Sequence, residues 1–162
     1  VHSIVTLGAY LANVPHTRPI PVTMTADTPR ARARWGAESS DYEGPTGIVG
    51  VNRYAASLAG LDSVACWAAI PYYAGGPPSP KASAALVQQV STLLGMAIPC
   101  EELELAGREW VSGVDELAES DEEIADYVST LEEQSDSAEL IEGSGDALAR
   151  EFEQYLRRRD EN

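Results

Sequence analysis

Apolar residues in the first part of the chain are concentrated in three short segments, each followed by glycine, proline or a polar turn. The segments are Ile4–Leu7, Val22–Ala26 and Ser63–Ile70, and the last is the most apolar stretch of the chain. Continuous apolar character is typical of strands in a parallel sheet, which are buried on both faces. We therefore predict three β-strands, with Ile4–Leu7 buried on both sides.

Helical spacing separates these strands. Apolar residues at positions 51, 54, 55 and 58 lie on one helical face, and Gly60 follows as a stop signal. A second apolar stripe lies within residues 81–94 and ends at Gly95, and residues 30–43 suggest a short helix and a loop. Strands that alternate with helices predict an α/β fold with a mainly parallel sheet.

The pattern becomes purely helical from about residue 100. Apolar residues recur there at intervals of three and four, with gaps at Gly107 and Asp121. Ser120 and Glu123 have the spacing of a capping box, which makes Ser120 the predicted N-cap of a new helix. A polar connection over residues 135–145 precedes a last predicted helix that begins at Asp146. We therefore divide the chain into the later part of an α/β domain, residues 1–99, and a helical extension, residues 100–162.

Charge separates the same two parts. The 162 residues carry 26 acidic and 11 basic side chains, a formal net charge of −15. Residues 1–100 sum to +1, whereas residues 101–162 sum to −16. The acids of the extension either form a solvated helix face or offer a docking surface to a basic partner. Because a negative field repels phosphate backbones, we expect no nucleic-acid partner.

The start of the chain, its apolar runs and its cysteines indicate the environment in which the protein works. No run approaches the roughly 20 apolar residues that cross a bilayer, so we expect no membrane partner. Val1 begins what looks like a strand already in progress, and three strands make a thin sheet, so we expect further strands before Val1. Cys66 and Cys100 are predicted to be buried thiols, with a disulfide as the alternative. The two cysteines and two histidines lack metal-ligand spacing, so no metal is expected, and the location is predicted to be cytoplasmic.

Familiar catalytic motifs are absent from the sequence. It contains no Gly-x-Ser-x-Gly, no phosphate-binding Gly-x-x-x-x-Gly-Lys and no His-Glu-x-x-His. The sequence therefore identifies no catalytic residue, and we expect no cofactor.

Five residues are candidates for a ligand pocket at the strand ends. They are His16, Arg18, Gly44, Gly47 and Tyr72. His16 and Arg18 follow the first strand on a proline-bounded loop, where open α/β sheets bind ligands. They could hold an anion, or His16 could act as a general base. The alternative is a loop made rigid by prolines, in which Arg18 pairs with a carboxylate.

The other three candidates have similar alternatives. Gly44 and Gly47 precede a helix whose N–H groups could hold an anion, or they permit a tight turn. Tyr72, with its neighbour Tyr73, follows the third strand, and both are expected at the same sheet edge, where they either line a pocket or pack the proline-rich loop.

Several local strings together resemble the proteasome assembly chaperone family, specifically its actinobacterial branch. The strings are Thr6-Leu7-Gly8-Ala9, Val14-Pro15-His16-Thr17-Arg18-Pro19, Tyr42-Glu43-Gly44-Pro45-Thr46-Gly47-Ile48-Val49-Gly50, Trp67-Ala68-Ala69-Ile70-Pro71-Tyr72-Tyr73, Pro77-Pro78-Ser79-Pro80-Lys81-Ala82 and Ser144-Gly145-Asp146-Ala147-Leu148. The resemblance implies a phosphorylase/hydrolase-like sheet flanked by helices, a C-terminal helical extension, and a complete protein with several strands before Val1.

The resemblance also implies a partner class. Members of this family are homo-oligomers, with a trimer as our first expectation, and archaeal and eukaryotic members assist proteasome assembly through a hydrophobic-Tyr-x tail. This chain differs there, because it ends Arg159-Asp160-Glu161-Asn162 and its last tyrosine is Tyr155.

The sequence favours two functions ahead of a third, a ligand-sensing module that would share the candidate pocket without catalytic geometry. The first is a non-enzymatic, oligomeric chaperone or scaffold that binds proteasome subunits or other proteins. The second is a small-molecule hydrolase or phosphorylase-like enzyme with its site near His16 and Arg18. A pocket that holds both side chains would favour the enzyme, whereas packing of both beneath the loop would favour the scaffold.

Overall fold

The computed structural model describes residues 3–40 and 47–139. Within these ranges the chain forms three strands, five α-helices and one short 3-10 helix. In chain order they are β1 (Ser3–Ala12), β2 (Val22–Thr25), α1 (Pro29–Trp35), α2 (Ile48–Leu58), β3 (Asp62–Pro71), the 3-10 helix (Tyr72–Ala74), α3 (Pro80–Leu94), α4 (Glu101–Glu119) and α5, described over residues 122–139. The predicted α/β class is confirmed.

The described sheet is small and mixed, with the strand order β1-β3-β2. Parallel pairing holds for β1 and β3, from Ser3 opposite Asp62 to Ala12 opposite Pro71. The expectation of parallel strands fails for β2, which is antiparallel to β3. The reason is the link between β1 and β2, which contains no helix and turns the chain over the end of β3, whereas parallel strands need a long crossover.

The core lies around β3, the central strand. Val64, Cys66 and Ala68 point to one face of β3 and are completely buried. That face packs on α1 through Ala31 and on α3 through Ala82.

The first strand is less buried than its sequence predicts. None of the residues of β1 is fully buried, and Leu7 and Leu11 are exposed. The prediction that Ile4–Leu7 is covered on both faces is therefore wrong for the described part of the chain, because β1 lies at the edge of the described sheet.

Helix α2 lies on the opposite face of the sheet. Thr25 is paired in register with Ala65, so their side chains share a face. Arg53 of α2 donates to the Thr25 hydroxyl at 3.4 Å and to the Asp27 carboxylate at 2.5 Å. The sheet is thus covered by α1 and α3 on one side and by α2 on the other.

Helices α4 and α5 pack against this α/β body. A Cβ atom at Gly107 of α4 would lie 3.3 Å from the Cα of Lys81, so this glycine lets α4 approach the start of α3 closely. Val114 of α4 and Val128 and Leu131 of α5 are buried. The gap at Gly107 in the apolar pattern is therefore a helix-packing contact.

Several helix ends follow the sequence signals, and two differ. Gly60 and Gly95 adopt positive φ where stops were predicted. Ser120, the predicted N-cap of α5, instead ends α4, and its hydroxyl donates to the Leu117 carbonyl. Asp121 is the N-cap, because its carboxylate accepts from the N–H groups of Glu123 and Ile124, and a carboxylate is the stronger acceptor at a positive helix end.

The polar connection predicted over residues 135–145 is wrong where the structure describes it. Residues 135–139 continue α5, because isolated polar residues do not end a helix that buries one face. The helix predicted from Asp146 lies outside the described residues. No helix in the described ranges is long and apolar enough to cross a membrane.

Candidate functional site

The loop after β1 and the 3-10 helix after β3 meet at one edge of the sheet. This follows from the parallel pairing of β1 and β3, which brings their carboxyl ends together. His16 lies on the first segment and Tyr73 on the second, with ring centroids 5.6 Å apart in an edge-to-face arrangement. The adjacent strand ends thus bring two polar aromatic side chains into contact.

His16 is 1% exposed, and both ring nitrogens have partners. Its Nδ1 lies 2.9 Å from the Tyr73 hydroxyl, and its Nε2 lies 2.9 Å from Oδ1 of Asp115 on α4. The backbone N–H of His16 also donates to the Tyr73 hydroxyl at 2.7 Å. A buried imidazole with every polar atom satisfied serves as a fixed structural group.

These contacts favour one tautomer of the neutral imidazole. The Tyr73 oxygen accepts from the His16 backbone, and burial raises the pKa of this phenol, so it keeps its proton. In the neutral imidazole, Nδ1 then accepts from the phenol and Nε2 donates its hydrogen to the Asp115 carboxylate, which can only accept. One chain of hydrogen bonds therefore joins the 3-10 helix, the loop and α4.

Arg18 continues the same loop towards α5. Its Nε and Nη2 donate to the two carboxylate oxygens of Asp136 at 2.7 and 2.8 Å, a bidentate pair, and its Nη1 lies 3.3 Å from Glu132. The guanidinium beside Asp136 holds the pKa of that carboxyl below its usual value. The Thr17 hydroxyl also donates to Glu132. The arginine is thus paired inside the chain, as in the non-ligand alternative.

Lys81, the only lysine of the chain, holds the backbone of the loop. Its Nζ donates to the carbonyl oxygens of His16 and Arg18, the latter at 2.7 Å. Burial lowers the pKa of this ammonium, although the nearby Asp115 opposes the effect. The start of α3 therefore fixes two points of the loop.

A cleft of about 350 Å³ lies beside this loop, between α4 and α5. Its polar lining includes His16 and Thr17 and three acidic residues, Asp115, Glu119 and Glu132. Three carboxylates make the cleft negative, so it does not favour the anionic ligand that His16 and Arg18 suggested. Residues 3–40 and 47–139 contain no group of three or more His, Cys, Asp or Glu side chains placed to hold a metal ion.

The family follows from comparison with known proteins. The chain matches the model of the PAC2 family over residues 1–118. It belongs to the PAC2 family. It resembles a PAC2 family protein from Streptomyces avermitilis at 44% identity, with a TM-score of 0.71 and coverage of 79% of this chain and 54% of that one.

Two mycobacterial structures are also similar. The Mycobacterium tuberculosis proteasome-assembly chaperone homologue Rv2125 is 41% identical, with a TM-score of 0.68 and coverage of 79% of this chain and 54% of that chain. The Mycobacterium tuberculosis unknown function protein Rv2714 is 26% identical, with a TM-score of 0.78 over 89% of this chain and 49% of that chain.

These comparisons confirm the resemblance to actinobacterial proteasome assembly chaperones. The PAC2 chain spans about half the length of the solved relatives that it matches. It has no match among the curated proteins.

The remaining candidates that the structure describes, Gly47 and Tyr72, make no hydrogen bond to His16. Gly44 lies outside the described residues. Gly47 is the N-cap of α2 in extended backbone, with open space at its Cβ position, so close packing does not explain it. Tyr72 is 59% exposed, and its neighbour Tyr73 makes the contact with His16.

Sequence reasoning placed both Tyr72 and Tyr73 at this edge but took Tyr72 as the pocket candidate, and it missed two residues of this network, namely Lys81 and Asp115. Lys81 carried a signal, since a single lysine in the first turn of a helix after a proline-rich loop is unusual in this composition. Asp115 carried none, because it is one of many acids in the extension. The cysteines are both free thiols, with Cys66 buried as predicted and Cys100 only half-buried.

Proposed function

We propose that this PAC2 chain is part of a non-enzymatic chaperone or scaffold that binds other proteins during proteasome assembly. The observation that supports this most is the internal use of the loop after β1. His16 is buried and bonded to Tyr73 and Asp115, and Arg18 is bound to Asp136. His16 and Arg18, the two candidate residues with ionisable side chains, therefore hold helices α4 and α5 on the α/β body.

The relatives support the same proposal. The Mycobacterium tuberculosis relative at 41% identity is a proteasome-assembly chaperone homologue. We infer that a proteasome subunit is the partner of this chain, and that the complete protein acts in the cytoplasm as a homo-oligomer, with a trimer as the first expectation.

The acidic helices are the proposed docking surface for that subunit. Residues 101–139 contain 15 acidic side chains and a single basic one, Arg108. A surface of this charge attracts a basic partner at a rate that falls with ionic strength.

The finer architecture belongs to the same proposal. We assign residues 1–99 to a phosphorylase/hydrolase-like α/β domain and residues 100–162 to a helical extension. In this assignment, the loop after β1 is the joint between the two parts, because it contacts α3, α4 and α5.

The enzyme alternative is not favoured. A general base needs an accessible nitrogen within hydrogen-bond reach of a substrate. Both nitrogens of His16 are used inside the protein, and the adjoining cleft is acidic.

Purified proteasome α and β subunits of an actinobacterium provide the test. We expect the protein to accelerate conversion of free subunits to assembled particles on native gels, and to do so less at 0.5 M salt, where charges are screened. Reversal of two exposed acids of α5, Glu123→Lys and Glu133→Lys, should weaken the effect. Arg108→Glu, the matched single-site control, should leave it intact. Unchanged assembly kinetics with the wild-type protein would refute the proposal.

A further inference from the structure

A cleft of about 320 Å³ lies between α3, α4 and the residues that follow Arg18, and we call it the α3–α4 cleft. Most of its lining is apolar or small, and the residues concerned are Pro19, Ile20, Ala84, Ala85, Leu103 and Gly107. Polar side chains complete the lining. Ligand-binding clefts in proteins begin at about this volume and are lined mainly by apolar groups, so this cleft suits an apolar side chain or ring.

The described part of α5 ends beside the α3–α4 cleft. Arg18 directly precedes Pro19 of the cleft wall, and its guanidinium forms the bidentate pair with Asp136. The structure describes only three residues of α5 after Asp136. Since the six residues 140–145 can span up to about 20 Å, residue 146 can reach the cleft.

The chain after residue 145 carries an apolar stripe that needs a cover. The helix predicted from Asp146 has apolar residues at intervals of four, three and one, namely Leu148, Phe152, Tyr155 and Leu156. Such a helix gains most of its stability when the stripe packs on another apolar surface. The α3–α4 cleft is an apolar surface within its reach.

The contacts of Lys81 show which end of the cleft faces α5. Its Nζ donates to the Arg18 carbonyl at 2.7 Å, and its Cα lies 3.3 Å from the position of a Cβ atom at Gly107. Leu103 lies one turn closer to the start of α4 than Gly107 does. A helix that enters beside Gly107 and continues past Leu103 therefore runs towards the first turn of α4.

Charge is complementary along this course. The first turn of α4 contains three acids, which are Glu101, Glu102 and Glu104. The predicted helix ends in Arg157-Arg158-Arg159, about 20 Å along its axis from Asp146. Opposite charges attract more strongly at a partly desolvated contact than in bulk water. The basic end of the segment thus fits the acidic start of α4.

We propose that residues 146–159 form a helix that docks in the α3–α4 cleft, with Phe152 between the two helices and Arg159 at the first turn of α4. Arg159 follows Phe152 by seven positions, so the two side chains share one side of a helix. The inference rests on the proposed assignment of residues 100–162 to a helical extension, and it is independent of the proposed proteasome partner.

Docking of this helix changes the distribution of charge in the extension. Three arginines then lie against the start of α4, whereas exposed acids of α5, including Glu123 and Glu133, stay open. The acidic surface offered to a basic partner is therefore centred on α5.

A fluorine label on Phe152 provides the first test. This residue is the only phenylalanine of the chain, so incorporation of para-fluorophenylalanine gives a single fluorine NMR resonance. We expect the resonance of the native protein to differ from that in concentrated urea, and to respond little to exchange of water for heavy water, as for a buried ring. A native resonance at the position of a solvated ring would overturn the proposal.

Matched leucine variants locate the contact. Leu103→Gln, in the cleft, should move the Phe152 resonance towards its solvated position, whereas Leu58→Gln on α2 should leave it unchanged. Leu58 is a suitable control because it is 73% exposed and lies on α2, which covers the opposite face of the sheet from α3. A shift with Leu58→Gln and none with Leu103→Gln would place the segment on α2 and overturn the proposal.

Two arginine variants repeat the test without altering the α/β body. Arg150 precedes Phe152 by two positions, so it lies on roughly the opposite side of the predicted helix, whereas Arg159 lies on the same side. Arg159→Glu should lower the ratio of docked to free segment at least about threefold, and Arg150→Glu should lower it less. Equal effects of the two reversals would contradict docking against the acids of α4.

Backbone chemical shifts of residues 146–159 separate the two ways in which the proposal can fail. Helical shifts with a solvated Phe152 would refute the docking and leave the helical extension intact. Shifts of an unstructured chain would refute the helical assignment and the docking together. Burial of Phe152 that grows with protein concentration would place the segment in the cleft of a second copy, and would also overturn the proposal.

Discussion

The indole ring of Trp67 lies over the backbone of Gly8 on the neighbouring strand. The two residues are partners in the parallel register of β1 and β3. A Cβ atom at Gly8 would lie 2.6 Å from Cε3 of Trp67, and closer still to Cζ3. Gly8 therefore provides the space for the largest side chain of β3 on the face that α2 covers.

Gly8→Ala should lower the free energy of unfolding by about 1–3 kcal/mol, because the indole must shift out of its site. Urea unfolding measured by circular dichroism provides the check. The matched control is Gly113→Ala on α4, where nothing lies within 4 Å of the new Cβ. Alanine should stabilise this helix position by about 0.5–1 kcal/mol. Similar losses in both variants would contradict the packing explanation.

Tyr73→Phe should destabilise the protein by about 1–3 kcal/mol, because it leaves the buried N–H of His16 without an acceptor. Tyr72→Phe, the control next to it, removes an exposed hydroxyl and should change stability by less than about 0.5 kcal/mol. Chemical unfolding of both variants gives the comparison. A larger loss of stability in Tyr72→Phe than in Tyr73→Phe would show that Tyr72 is the residue that anchors the loop.

The pKa of Asp136 should lie below the ordinary value for aspartate, which is about 3.9, because Arg18 stabilises the charged carboxylate. A carboxyl whose native pKa is depressed stabilises the fold above its unfolded pKa, and this contribution is lost as the pH falls through the native value. Arg18→Gln should therefore raise the pKa of Asp136 in a carbon-13 NMR titration. Its stability deficit against the wild type should shrink as the pH falls through the native pKa of Asp136. Arg108→Gln on α4 should leave the titration of Asp136 unchanged.

Both cysteines should react slowly with iodoacetamide at pH 8 in the native protein. Burial raises the pKa of the Cys66 thiol, and a hydrogen bond to the Glu104 carboxylate raises that of Cys100, so less thiolate is present. Glu104→Gln should accelerate labelling of Cys100 and leave Cys66 unchanged. Mass spectrometry of the labelled peptides distinguishes the two sites. Equal acceleration at both would indicate general opening of the fold.

Local signals in the sequence predicted local structure well. The three apolar runs became the three strands, and Gly60 and Gly95 took positive φ where helices end. The strand-end rule correctly placed His16 next to the segment that follows β3, because parallel pairing brings those ends together. These features depend on neighbours in sequence or on a general property of parallel strands.

Distant partners could not be predicted in the same way. Asp115 and Asp136 meet the loop after β1 across 99 and 118 positions of the chain, and each is one acid among many. Their selection depends on how α4 and α5 pack, which the acidic sequence leaves open. The antiparallel β2 was missed for a similar reason, since its direction depends on the path of a helix-free loop.

Lys81 binds the loop after β1 through backbone carbonyl oxygens, which every residue possesses. This contact does not depend on the side chains at positions 17 and 18. Thr17 and Arg18 can be exchanged for residues that recognise a different helix, while the anchoring at α3 persists. The attachment of the loop to α3 through its backbone is thus separate from its attachment to α5 through the side chains of Thr17 and Arg18.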